Sequence, residues 1–156
     1  MYEEKYMREA IRLAEENVKE RKGGPFGAVI VKDGNIIAAC ANTVTPDYDP
    51  TAHAEVNAIR TACRLLQTHQ LTGCEIYCSC EPCPMCLGAI YWARPARVYY
   101  ASSREDAACA GFDDSFIYQE IVLPAADRTI PFLNDKVTGA GTEFGLWLAD
   151  RDKIEY

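Results

Sequence analysis

Two short stretches of the chain hold side chains able to bind a metal and move protons. Thr51-Ala52-His53-Ala54-Glu55 is the first, and Glu81-Pro82-Cys83-Pro84-Met85-Cys86 follows about thirty residues later. His53, Cys83 and Cys86 supply one imidazole and two thiolates, a donor set that suits zinc. Three protein ligands leave a tetrahedral ion one open position, the mark of a catalytic rather than a structural site. Glu55, two residues from the histidine, is a carboxylate placed to handle protons.

Such a site needs elements that present these side chains together. Cys83 and Cys86 are three apart, so on a helix opened by Pro84 they share a face at its N-terminus. Proline is tolerated there because its missing N–H has no partner in a first turn. The helix dipole and the free N–H groups stabilise thiolates in that position. A redox C-x-x-C is the alternative, but it leaves the His-Ala-Glu element unexplained. Residues at i and i+2 do not face the same way on a helix. His53 and Glu55 therefore reach one site only if it lies beyond the start of the helix predicted from Thr51 or Ala52 to about Leu66. Asp49-Pro50-Thr51 is consistent with such a start. Glu55 also suits an ordinary first-turn glutamate facing the dipole.

The remaining elements follow from pattern. Tyr6, Ala10, Leu13, Ala14 and Val18 fall at helical spacing and predict a first helix ended by Gly23-Gly24-Pro25. Phe26 to Lys32 and Asn35 to Ala41, joined by Asp33-Gly34, predict a β-hairpin. A loop is expected from Asn42 to Pro50. Strands are expected at Glu75 to Cys80 and, buried, at Arg97 to Ala101, with the helix from Pro84 to Trp92 between them. Short helices are expected near Ala107-Ala108-Cys109-Ala110 and over Phe116 to Leu123. A strand at Lys136 to Thr138 and a last helix over Glu143 to Arg151 complete the reading. Strands alternating with helices define an α/β class with parallel pairs after the hairpin.

The chain has 156 residues, 49% hydrophobic and 25% charged, as expected for one globular domain spanning 1–156. No apolar leader opens it and no run of eighteen apolar residues occurs, so neither secretion nor a membrane span is expected. The eight cysteines then suggest reduced thiols and a metal site in a cytoplasmic protein. Net charge is −7. No basic stripe for phosphates is visible, which disfavours a polynucleotide and favours a small neutral substrate. His69 reads as a surface residue. Cys40, Cys63, Cys74, Cys78 and Cys109 read as small buried hydrophobes.

The H-x-E…P-C-x-x-C arrangement resembles the signature of the zinc deaminases. In that chemistry one Zn2+ per subunit acidifies a bound water, so that hydroxide forms at neutral pH as the nucleophile. Glu55 takes the proton and delivers it to a ring nitrogen beside the attacked carbon, and the exocyclic amine leaves as ammonia. The backbone N–H groups of Ala54 and Cys83 are candidates to position substrate. More of the chain carries the resemblance. Gly23 to Val31, Asp49 to Glu55, Ser79 to Ala93 and Ala110 to Tyr118 are similar to the bacterial guanine deaminases within the cytidine-deaminase-like superfamily. Gly111-Phe112-Asp113-Asp114-Ser115-Phe116 and the terminal Glu155-Tyr156 point to guanine.

That resemblance implies a three-layer α/β/α sandwich with a central five-stranded mixed sheet. It implies hydrolytic deamination of guanine to xanthine and ammonia, in purine salvage or nitrogen supply. It also implies a homodimer in which the C-terminal segment 142–156 is exchanged and covers the partner's active site. Carried over by position, Phe26 stacks on the purine and Asn42 hydrogen-bonds to its edge. Asp114 joins Glu55 as a second carboxylate at the substrate, Trp92 lines the pocket, and Tyr156 sits in the cover. The chemistry suits these roles, since an aromatic face accepts a flat base and an amide both donates and accepts. Phe26 and Trp92 equally suit a hydrophobic core, and Asp113-Asp114 suits a helix cap. Asp47-Tyr48 and the glycine-rich Asp135 to Gly141 depart from the family pattern. Alternative readings are another small base, a nucleoside or a triazine as substrate, a tRNA adenosine deaminase, and a structural zinc module closed by Cys80.

Overall fold

Apolar residues at the spacing of one helical face build the first helix, α1 (Glu4–Lys19), in which Tyr6, Met7, Ala10, Ala14 and Asn17 are buried. The computed structural model describes residues 2–135 and 137–156. Strands β1 (Gly27–Lys32) and β2 (Asn35–Ala41) form the expected hairpin. Asp33 and Gly34 take φ of 50° and 75°, as a two-residue turn matched to strand twist requires. A one-turn helix, α2 (Val44–Asp47), lies inside the predicted loop. Then come α3 (Ala54–Leu66), β3 (Glu75–Cys80), α4 (Pro84–Ala93) and β4 (Arg97–Ser102).

The sheet order is β2-β1-β3-β4. β1 pairs antiparallel with both β2 and β3, and β3 pairs parallel with β4, so the sheet is mixed and its parallel pairing is confined to that one ladder. Alternate side chains sort to opposite faces. Ala28, Ile30, Ile76 and Cys78 meet Ala54, Ala58 and Ala62 of α3 and Ile90 and Ala93 of α4. Val29, Val31 and Tyr77 meet Tyr6, Met7 and Ala10 of α1 on the other face. Helices thus cover both faces, which explains why β1 reads as an uninterrupted apolar run. Alanine at every fourth position of α3 lets that helix lie close to the sheet.

Several expectations are corrected. Among the described residues the sheet has four strands, not five. The expected fifth, Lys136 to Thr138, includes Lys136, which lies outside the described residues; Val137 and Thr138 are in no strand. The chain beyond β4 offers little to pair: residues 115–122 are helical, and Pro131 lacks an N–H. β4 is consequently an edge strand, largely exposed rather than buried. Cys109 is exposed, and Cys40 and Cys63 are half-buried, while Cys74 and Cys78 are buried as expected. Cys109 ends α5 (Arg104–Cys109), which starts earlier than predicted because Ser103 and Asp106 form a reciprocal capping box.

The chain divides into two compact units, the first ending at Asp114 and the second spanning Ser115–Tyr156. The second holds α6 (Ser115–Val122), a 3₁₀ turn (Ala125–Asp127) and α7 (Thr142–Ala149). Glu120 ties it together by accepting from Thr129 N–H and Oγ1 at 2.7 and 2.9 Å. Phe144, Leu146, Trp147 and Leu148 on α7 are all exposed. No helix among the described residues is long and apolar enough to cross a membrane.

Candidate active site

Two helix starts converge to make the site. His53 is the extended residue immediately before α3, and Cys83 is the extended residue immediately before α4, which Pro84 opens. Cys86, in the first turn of α4, is fully buried. His53 Nδ1 lies 3.5 Å from both Cys83 Sγ and Cys86 Sγ. The three donor atoms all fall within 4.8 Å of one another. Zinc bonds to sulfur and imidazole nitrogen at the usual lengths predict an N···S edge of about 3.6 Å in a tetrahedron. The separation and the donor types therefore fit one Zn2+.

Because His53 stands outside the helix and Glu55 inside its first turn, both face the ground before the helix start. Glu55 is 7% exposed, and its carboxyl shares a hydrogen bond with Cys86. Burial is the main cause holding that carboxyl above its ordinary range. Hydrogen bonds from Cys86 and His53 lower the Cys83 thiol to about 4. Cys86 moves the other way, raised by sharing its proton with Cys83 and by burial. The hydrogen bond between His53 and Cys83 raises the imidazole above its ordinary value.

Cys80 stands apart from this cluster. Its Sγ donates to the Ser103 carbonyl at 3.4 Å, and burial pushes its thiol up to about 11. It is engaged elsewhere as a neutral thiol, which weakens the reading of a closed four-ligand structural site.

The residues expected around the substrate are placed as follows. Asn42, at the end of β2, is 6% exposed. Its Oδ1 accepts from Val44 N–H at 3.2 Å and Gly24 N–H at 3.4 Å, which leaves its NH2 as the donor for a ligand. Phe26 is half-buried and meets Phe112 edge-on, with ring centroids 5.0 Å apart. It serves the core and the open edge together. Asp114, half-buried, has its carboxyl raised by burial and then by the Cys83 charge, so it stands within electrostatic reach of the metal donors. Ala54 opens α3 and is fully buried, and its N–H belongs to the first turn, where no intrahelical acceptor exists. Trp92 is 63% exposed near the end of α4. Tyr156, also exposed, belongs to the second unit. His69 is on the surface, as expected.

Sequence reasoning missed the amides that hold these parts. Asn17 donates to the Gly24 and Asn42 carbonyls, both at 2.8 Å, and so joins the turn bearing Phe26 to Asn42. Asn57 grips the loop before His53. Ser79 Oγ accepts from Gly27 N–H at 3.0 Å. A polar residue on an otherwise apolar stripe, as at Asn17, was the available signal. A cavity of about 520 Å³ also opens between α1 and α5, lined by Ile11, Ala14, Val18, Ala107 and Phe112. Phe26 borders it, but neither the three donors nor Glu55 line it, so it is an apolar groove distinct from the reaction site.

A mixed sheet covered by helices on both faces, with an imidazole, two thiolates and a buried carboxylate at two helix starts, defines a zinc-dependent deaminase. The chain belongs to the cytidine and deoxycytidylate deaminase zinc-binding family, whose pattern matches residues 1–102. It is 58% identical to the guanine deaminase of Bacillus subtilis over the full length of both. The X-ray structure of that enzyme matches with a TM-score of 0.97, covering 100% of this chain and 99% of that one. The guanine deaminase of Nitrosomonas europaea matches with a TM-score of 0.66 at 34% identity, covering 70% of this chain and 63% of that one. A tRNA-specific adenosine deaminase of Bacillus subtilis is 38% identical, covering 97% of this chain and 93% of that relative.

Proposed function

We propose that this chain is a zinc-dependent aminohydrolase that converts guanine and water to xanthine and ammonia. The observation that carries the reading is the buried Glu55 carboxyl beside the His53, Cys83 and Cys86 donors, in a chain 58% identical end to end to a guanine deaminase. Bound zinc supplies the Lewis acidity that makes water nucleophilic at neutral pH.

The protein's own groups do the rest. Glu55, whose carboxyl is raised above its ordinary range by burial, handles the protons. It accepts one from the attacking water and passes it to the ring nitrogen beside the attacked carbon. The second water proton leaves with the exocyclic amine as ammonia. Asn42 donates its NH2 to an acceptor on the purine edge, and Asp114 accepts from ring N–H groups. The Ala54 N–H orients the substrate, and Phe26 offers an aromatic face to the base. Trp92 lines the outer pocket.

The active form is a homodimer in which segment 142–156 covers the partner's site, with Tyr156 in the cover. Support comes from α7, whose Phe144, Leu146, Trp147 and Leu148 are exposed and call for a covering surface. Eight free thiols suit the cytoplasm. A net charge of −7 favours a free base over a polynucleotide.

Ammonia release by zinc-replete protein from guanine, guanosine, cytosine, cytidine, adenine, a triazine and a tRNA anticodon stem tests the reading. Clear preference for guanine is expected. Preference for another small molecule reassigns the pocket residues, and turnover of the RNA alone overturns the substrate. Truncation after Asp150 is expected to lower turnover at least about 10-fold if Tyr156 helps to exclude water; normal turnover removes Tyr156 from the site.

A further inference from the structure

Asn57 lies one turn beyond His53 on α3, and none of the roles above uses it. Its side-chain NH2 faces three acceptors. Thr43 Oγ1 is at 3.0 Å, the Ala41 carbonyl at 3.1 Å and the Ala52 carbonyl at 3.3 Å. Ala41 immediately precedes Asn42, and Ala52 immediately precedes His53. One amide therefore spans the end of β2, which carries Asn42, and the loop that carries the metal-binding imidazole. Thr43 N–H closes the same bridge by donating to the Ala52 carbonyl at 2.9 Å. Asn57 is itself anchored, because its backbone N–H donates to the His53 carbonyl at 2.9 Å.

An NH2 group has two hydrogens, so three acceptors share them in a forked arrangement. The amide suits that task, as a carboxylate of the same shape would offer three oxygens no proton. We infer that Asn57 is a positioning residue that sets the separation between Asn42 and His53, and through it the alignment of the bound base with the metal. This rests on the assignment of Asn42 to the substrate made above. Alignment acts steeply on rate, since a displacement of about 1 Å can cost on the order of 10²-fold.

The test is a double-mutant cycle on zinc-loaded full-length protein: Asn57→Ala, Asn42→Ala and both together. The readouts are kcat/KM for guanine, zinc per chain and the thermal midpoint. Asn57→Ala is expected to keep its zinc and unfold cooperatively while losing about 10²-fold in kcat/KM. The double variant should fall no more than about 3-fold below Asn42→Ala alone, because both changes break one line of action. Losses that multiply indicate a general stabilising role and overturn the proposal. So does full activity in Asn57→Ala beside an impaired Asn42→Ala, which leaves the Asn42 assignment standing. A fully active Asn42→Ala overturns that assignment and the inference with it. If Asn57→Ala does not fold, Thr43→Val takes its place in the cycle. It removes one acceptor without touching α3, and its loss must likewise fail to multiply with that of Asn42→Ala.

Discussion

His53 and Cys83 occupy equivalent positions on two helices. Each is the last extended residue before a helix begins, with ψ of 154° and 168°, and their donor atoms lie 3.5 Å apart. Two positive helix ends therefore point at one spot. That arrangement favours thiolate over thiol and gathers the three metal-binding donors beside the Glu55 carboxyl. It also answers the geometric difficulty of a histidine and a glutamate two residues apart: only one of the two is in the helix.

Glu55→Gln separates proton transfer from metal binding. The amide keeps the shape of a buried side chain that is 7% exposed but cannot cycle a proton. Turnover should fall by about 10²–10⁴-fold with zinc content unchanged. Metal analysis beside single-turnover kinetics checks both halves. Undiminished deamination in the Gln variant would remove Glu55 from its assigned role.

Removing the metal should abolish activity and lower stability together. Chelation takes away the ion, and His53→Ala takes away one of the three donors that lie within 4.8 Å of one another. A ligand that binds only the folded state at a hundred times its Kd adds about 2.7 kcal/mol. The chelated protein should accordingly unfold several degrees earlier, and zinc should restore midpoint and turnover in parallel. Activity that survives with zinc below a tenth of an equivalent, about the level of contamination, would exclude a zinc mechanism.

The parts of this molecule legible before folding are those carried by residue type and short spacing. The donors at 53, 83 and 86, the Asp33-Gly34 turn and the start of α4 at Pro84 are local facts of this kind. β1 could be bounded because its apolar β-branched run ends at turn residues, and β3 because Gly73 precedes it and Pro82 follows it. The exposure of β4 was not legible, because whether a strand lies at an edge depends on what the chain does some forty residues later. Nor were the bonds of Asn17 and Asn57, since their acceptors, backbone carbonyls and the Thr43 hydroxyl, are brought near only by the fold. The tail resisted for another reason. The helix expected over Glu143 to Arg151 forms as α7, but the exposure of its Phe144 and Trp147 depends on what packs against it and not on residue type.

Gly27→Ala tests how closely α1 sits on the sheet. A Cβ at this position would stand 2.2 Å from the Ala10 carbonyl oxygen and 3.0 Å from Ala14 N. Both are backbone atoms, so the helix itself must move. Overpacking of this kind costs about 1–3 kcal/mol. A lowered urea midpoint with unchanged slope is expected, together with weaker guanine binding if the preceding residue, Phe26, faces the base as proposed. An unchanged midpoint would mean that α1 is seated less tightly than the contact implies.

Tyr77→Phe should change the alkaline limb of the stability curve. The Tyr77 side chain is fully buried, its ring centroid 5.3 Å from that of Tyr6 and 4.8 Å from that of Tyr99. Its hydroxyl donates to Glu75 Oε2 and accepts from Glu3 N–H, each at 3.2 Å. Burial is the main cause that pushes the phenol from its ordinary 10.0 up to about 12. Between those values the folded protein keeps a proton that the unfolded chain releases, so stability falls as pH rises. Phenylalanine has no such proton. Near pH 8 the wild type should be the more stable by about 1 kcal/mol, the worth of its hydrogen bonds. That advantage should shrink, and then reverse, as pH climbs from 10.0 towards about 12. Urea midpoints of both proteins, measured in parallel at each pH, give the difference directly and cancel the other tyrosines. A gap that stays constant across the range would mean that Tyr77 ionises in the fold as readily as in the unfolded chain.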